Sequence, residues 1–351
     1  MKWTSKDLRS NLDTLKKMYR MEQFNDKKEE ILEAIHTTMY NICDLELGED
    51  SYASISDSML LFNNVPKFTM YYPYVYEFNN RLRTSNYDVT SSVDVIGTKE
   101  EISRSDVFVL LNDFFKSLGK KVYNSYLEID KDKDLCVNFD DEFDSTEGVT
   151  YYVPVLNKRY MVIGSFGDNR DILSTLTHEY GHSIATVMNP KRYYSDDFFT
   201  EIESLFFEMI GSDYYYNQTK DECFSLQLKD KVNNYFWNSA NVLAMKRTSD
   251  KTFKYMTDAA SADKLCHKYL RKEGFNEEEL TIDVDDKIKY LMGYMVAVEL
   301  FETYKEDKEL AIDLLEKIVN RDRNISEYSS IVNTVTPNKN LIKHLERINR
   351  Y

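Results

Sequence analysis

The chain has 351 residues, enough for a large buried core, and 60 acidic against 45 basic residues give it a formal net charge of -15. That balance argues against a nucleic-acid partner, which needs basic patches to meet phosphate, and no apolar run approaches the ~18 residues of a membrane span. The opening residues Met1-Lys2-Trp3-Thr4-Ser5-Lys6-Asp7 hold no apolar signal core, and Cys43, Cys136, Cys223 and Cys266 show no CxxC spacing, so a cytoplasmic protein with reduced thiols is expected.

Apolar residues recur at helical spacing over Asp7–Tyr19, Asp26–Cys43 and Lys99–Leu118, which predicts three helices. Val122–Cys136 predicts another helix or a helix pair. Five prolines and ten glycines leave few breaks, and there is neither a low-complexity linker nor an internal repeat. From Asp140 to Gly167 the pattern changes. Thr150–Leu156 and Arg159–Ser165 are β-rich runs on either side of Asn157-Lys158, and they predict a hairpin. Its second strand, Tyr160–Ser165, leads directly into the next helix. That strand is expected to be a sheet edge able to pair with an extended peptide, with Gly164 and Ser165 as contact residues.

The next helix, Asp171–Met188, carries the most informative residues of the chain, His178-Glu179-Tyr180-Gly181-His182. Ile172, Leu173, Leu176, Tyr180, Ile184 and Met188 form its apolar stripe; Asp168 or Asn169 can cap its start, and Asn189-Pro190 ends it. Two histidines four apart lie on one helix face and can reach one Zn²⁺, while the Glu between them can take a proton from a water at the metal's open side. With five histidines in the chain, an HExxH arises by chance in roughly one such chain in a hundred. Gly181 inside a helix costs about 1 kcal/mol relative to Ala and points to close approach of another backbone or of a substrate.

A second buried helix is predicted across Phe198–Ile210. Glu201 and Glu208 are seven apart on one of its faces, with Glu203 about 160° away. Glu201 suits a third metal ligand, Glu208 an acceptor that orients a ligand histidine, and Glu203 a solvated face. Helices are then predicted at Leu226–Arg247, Ala259–Glu273, Asp285–Tyr304 and Lys308–Asn320. The fold class is therefore mainly α, with a small β-sheet or hairpin beside the motif helix. The 27 tyrosines follow from the codon usage of an AT-rich genome better than from an aromatic binding site.

The segment Asp171–Ser183 resembles the zinc helix of the oligoendopeptidase F and thimet oligopeptidase family, which carries TLxHExGHS there. The family's next helix has the form E-[VA]-x-S-x-x-x-E, and Glu201, Ser204 and Glu208 fall on that pattern. The match is specific over about forty residues and fainter over Asp106–Leu127 and Tyr151–Phe166. It implies a large helical zincin-type peptidase fold, one Zn²⁺ per chain on His178, His182 and Glu201, Glu179 as general base, and short peptides as substrates. Residues 1–351 would form one peptidase domain, or two lobes: a helical N-terminal lobe of residues 1–140 and a zinc-binding catalytic lobe of residues 141–351. The chain is short for the family, so the N-terminal lobe over the channel is expected to be reduced or missing.

The family's C-terminal segment supplies a His and several Tyr to the substrate carbonyl and oxyanion. Here Tyr290 and Gly293 match its Y-x-x-G, but Ile288 stands where another Tyr is expected and no His precedes it nearby. Tyr290 is the first candidate for the oxyanion donor, with Tyr294 and His267 as alternative substrate contacts. Two other functions stay open: a zinc carboxypeptidase of related fold, and a catalytically weak peptide-binding or scaffold protein.

Overall fold

The computed structural model describes residues 3–47, 102–140, 148–153, 156–164, 168–190, 201–228 and 284–320. Most of them are helical. Helix α1 (Ser5–Met21) opens with a reciprocal cap. The Thr4 hydroxyl accepts from the Asp7 N–H, and the Asp7 carboxylate accepts from the Thr4 N–H, which satisfies donors that a helix start leaves without partners. Ser103 and Asp106 open α3 (Arg104–Ser117) in the same way. Between them, α2 (Asn25–Leu47) pairs with α1 through Leu8, Leu12, Leu32, Ile35, Met39 and Ile42, a cluster that Val153 joins from the sheet. Gly119, at φ +100°, turns the chain from α3 into α4 (Lys120–Asp130), and α5 (Lys133–Cys136) completes the expected helix pair.

Three strands follow: β1 (Val137–Asp140), β2 (Gly148–Val153) and β3 (Lys158–Gly164). Their order is β1-β3-β2, with β1 parallel to β3 and β2 antiparallel to it. The predicted hairpin is present, with Val153 opposite Lys158 and Asn157 in the left-handed region at φ 48°, which Asn tolerates. The expected edge is corrected. β3 is the middle strand, and Gly164 pairs with Asp140 of β1. All of β3 after Lys158 is buried, because both faces are covered: Met161 and Ile163 lie in the main core, and Tyr160 on the other face packs on His36 of α2. The physical reason is β1, four residues directly after a helix and too short to register as an alternating pattern. The outer strands of the described sheet are β1 and β2.

Four further helices, α6 (Asn169–Met188), α7 (Glu201–Thr219), α8 (Val284–Glu306) and α9 (Lys308–Val319), share the main core with α3, α4 and the strands β1 and β3. α7 lies between α6 and α8, while α3, α4 and the sheet pack on other sides of α6. Both middle helices are consequently buried nearly all round. From Arg170 to Thr186 only Asp171, Thr175 and His182 keep partial exposure, and every residue from Glu201 to Ser212 is buried. Glu203, expected on a solvated face, is 0% exposed, because the two flanking helices enclose both sides of α7. The helix expected from Leu226 is described only as far as residue 228, and Ala259–Glu273, with His267, and Ser165 lie outside the described residues. No helix among the described residues is long and apolar enough to cross a membrane.

The start of α6 is fixed by charge. Asp168 accepts from the N–H groups of Arg170 and Asp171, and the buried Arg170 guanidinium lies 2.7 Å from both Asp168 and Asp221. A buried cation with two carboxylates ties the helix start to the segment after α7, and losing either partner would leave charge uncompensated. Further along, Gly181 lets α6 and α7 touch. A Cβ built there would stand 2.8 Å from Ser204 Cα and 3.3 Å from the Glu203 carbonyl oxygen. Gly181→Ala should therefore destabilise the protein by about 1–3 kcal/mol, although Ala alone favours a helix over Gly by about 1 kcal/mol. Urea unfolding checks this; an unchanged or raised midpoint would contradict so close a crossing.

Candidate metal centre

The HExxH spacing works as helix geometry dictates. His178 and His182 stand one turn apart with their rings edge to face, centroids 4.9 Å apart. Glu201, the first residue of α7, faces both: its Oε2 lies 3.3 Å from His178 Nε2 and 3.6 Å from His182 Nε2. Three donors bound at 2.0–2.1 Å around a tetrahedral ion lie about 3.3–3.4 Å apart, so two of the three edges are already near the size an ion needs. Two imidazoles and a carboxylate are also the donor chemistry of zinc sites that keep an open position. These residues could hold a divalent metal. Glu179 brings its own carboxylate within 4.8 Å of the histidine nitrogens, but Glu201 is the nearer acid.

Behind the donors lies a supporting layer. Glu208 Oε2 is 3.4 Å from His178 Nδ1, the ring nitrogen turned away from Glu201, and Ser174 Oγ donates to Glu208 Oε1 at 3.4 Å. An acceptor on Nδ1 fixes the tautomer that leaves Nε2 free to bind a metal. Ser204 donates to Glu201 Oε2 at 3.2 Å and to its carbonyl at 3.1 Å. Ser204 stands in the family pattern; Ser174 carried no signal of its own in the sequence, because its partner lies 34 residues away.

Glu179 is 3% exposed and faces the sheet. The Thr150 hydroxyl of β2 donates to Glu179 Oε2 at 2.5 Å and sits 3.2 Å from the Glu179 carbonyl oxygen. A Cβ on Gly148 would stand 2.8 Å from Glu179 Cγ. Sequence reasoning singled out neither Gly148 nor Thr150, since nothing local says which face of β2 meets α6.

Gly293 of α8 presses on Glu201: a Cβ there would lie 2.7 Å from Glu201 Cβ and 3.0 Å from its carbonyl carbon. Tyr290, three residues earlier, shares that helix face, and it is half-buried against the main core. Tyr294 is 2% exposed within the core, where burial raises its hydroxyl pKa far above that of a free tyrosine. Gly164 is buried in β3. Among the described residues Cys136 and Cys223 are free thiols, and burial pushes Cys136 up to about 11, so it is protonated near neutral pH and a poor nucleophile.

The sequence matches no family model, and no curated protein matches it. Solved structures do match in shape. Residues covering 93% of this chain overlay 63% of a Bacillus anthracis str. Ames protein assigned as an oligoendopeptidase F, at TM-score 0.54 and 12% identity. PZ peptidase A, solved with an inhibitor, overlays 99% of the chain with 67% of its own length, at TM-score 0.56 and 10% identity. A second protein assigned as oligoendopeptidase F gives TM-score 0.52 and 16% identity over 99% of this chain and 66% of its own. This chain thus spans about two thirds of the length of those it resembles. Such identities carry the fold alone. The chain has the fold of oligoendopeptidase F, the family that its HExxH helix resembles.

Proposed function

We propose that this chain is a zinc-dependent oligoendopeptidase that hydrolyses internal bonds of short peptides. The observation that carries the reading is the meeting of His178 Nε2 and His182 Nε2 of α6 with Glu201 Oε2 of α7, with Glu179 beside the histidines on α6. His178, His182 and Glu201 would hold one Zn²⁺ per chain. The metal, when bound, supplies a Lewis acid that brings the pKa of a bound water toward ~7 and polarises a carbonyl.

The remaining chemistry falls to side chains of the protein. Glu179 takes a proton from the attacking water and delivers it to the departing amine, so one C–O bond forms as the C–N bond breaks. Glu208 holds the His178 ring in its working tautomer. Tyr290 donates to the developing oxyanion, a role supported by its place one turn before Gly293, which rests on Glu201. With β3 in the middle of the sheet, the main-chain partner of an extended peptide is assigned to an outer strand. β2, which carries the residues touching Glu179, is the nearer one to the chemistry.

Two outcomes test this reading. Glu179→Gln should retain zinc and lose about a hundredfold or more in kcat. In mass spectrometry of a mixed peptide pool, the zinc-loaded protein should give internal cuts that vanish in the variant; release of single C-terminal residues would instead support a carboxypeptidase, and equal turnover by the variant would overturn the mechanism. Glu208→Ala should weaken zinc binding about 10–100-fold in a chelator competition while His178 and His182 remain in place. Full affinity in that variant would remove Glu208 from the site.

A further inference from the structure

We infer that Thr150 is a positioning residue for Glu179, an inference that rests on the reading of Glu179 as general base. Residues 148 and 150 project from the same face of β2, because side chains alternate along a strand. That face meets α6 at Thr175, whose Cγ2 would stand 2.8 Å from a Cβ on Gly148, and at Glu179. A Cβ on Gly148 would stand 2.8 Å from Glu179 Cγ and 2.9 Å from Glu179 Oε1, while the Thr150 hydroxyl reaches Glu179 Oε2 at 2.5 Å. The backbone of the strand thus walls one carboxylate oxygen, and a hydroxyl holds the other.

The chemistry asks for this restraint. A glutamate has three side-chain torsions, and freezing such a chain carries an entropic cost that an unassisted general base would meet in every turnover. The Thr150–Glu179 distance lies in the range of a hydroxyl donating to a charged carboxylate, the stronger class of hydrogen bond. Thr is β-branched and stiff about its first side-chain torsion, so its hydroxyl is itself held by the strand. The Thr150 hydroxyl bonds Glu179, which is not one of the three proposed metal ligands, so the effect belongs to rate rather than to metal binding.

The test compares Thr150→Val, which keeps the shape and removes the hydroxyl, with Thr150→Ser, which keeps the hydroxyl. On zinc-loaded full-length protein, Thr150→Val should lower kcat about tenfold or more with KM within about twofold, and Thr150→Ser should recover kcat to within about threefold of wild type. Zinc affinity, read by chelator competition, should stay within about twofold in both. On metal-free protein, Thr150→Val should lower the urea midpoint by more in the wild-type background than in a Glu179→Ala background, where the carboxylate is gone and only the backbone carbonyl of residue 179 remains as an acceptor. A Val variant with wild-type kcat, a Ser variant no better than Val, or equal midpoint shifts in both backgrounds would overturn the inference. A wild type that cuts no peptide would overturn the peptidase reading and this inference with it; a cutting wild type matched by Thr150→Val would overturn this inference alone.

Discussion

Everything at the candidate centre depends on how closely α7 is held between its two neighbours. The HExxH repeat by itself places two imidazole nitrogens on one helix face and no more. A third donor must arrive from another helix, and side chains at an ordinary crossing keep helix axes about 8–10 Å apart. Gly181 removes the side chain of α6 at the point where it meets Ser204, and Gly293 removes that of α8 where it meets Glu201. Glu201 is thereby set at the start of α7 with its carboxylate against both histidines. The two glycines weaken their helices and are tolerated because the packing they permit is worth more.

Burial then shapes the charge of the site. Glu179, Glu201 and Glu208 are 3%, 2% and 6% exposed, gathered about two imidazoles. Carboxylates so placed lose hydration and must be compensated by hydrogen bonds and by positive charge. Ser204, Thr150 and Ser174 each donate to one of the three acids. A divalent cation among the two histidines and Glu201 would complete the compensation, which makes the site's own electrostatics an argument for a metal.

The features legible in the sequence were those written locally. The bounds of α6 follow from Asp168 as cap and Asn189 as stop, both seen in the structure. The predicted hairpin and the helices at α1, α2, α3, α8 and α9 follow from apolar period and turn residues. What escaped was written between elements. β1 is four residues long and gains its identity by pairing with β3, which moved the expected edge to the centre of the sheet. Glu203 looked solvated because the period of one helix cannot show that it is packed on two sides. Thr150 joins the site only because β2 lies across α6, a placement that no window of sequence contains.

The central claim is that one metal ion is held by donors from two helices brought together by glycine contacts. Crystals of the metal-loaded protein, measured at the zinc absorption edge, address it directly through the anomalous difference map. A single strong peak is predicted about 2.0–2.2 Å from His178 Nε2, His182 Nε2 and a Glu201 oxygen. A map without a peak there, or a peak whose ligands leave out Glu201, would contradict it.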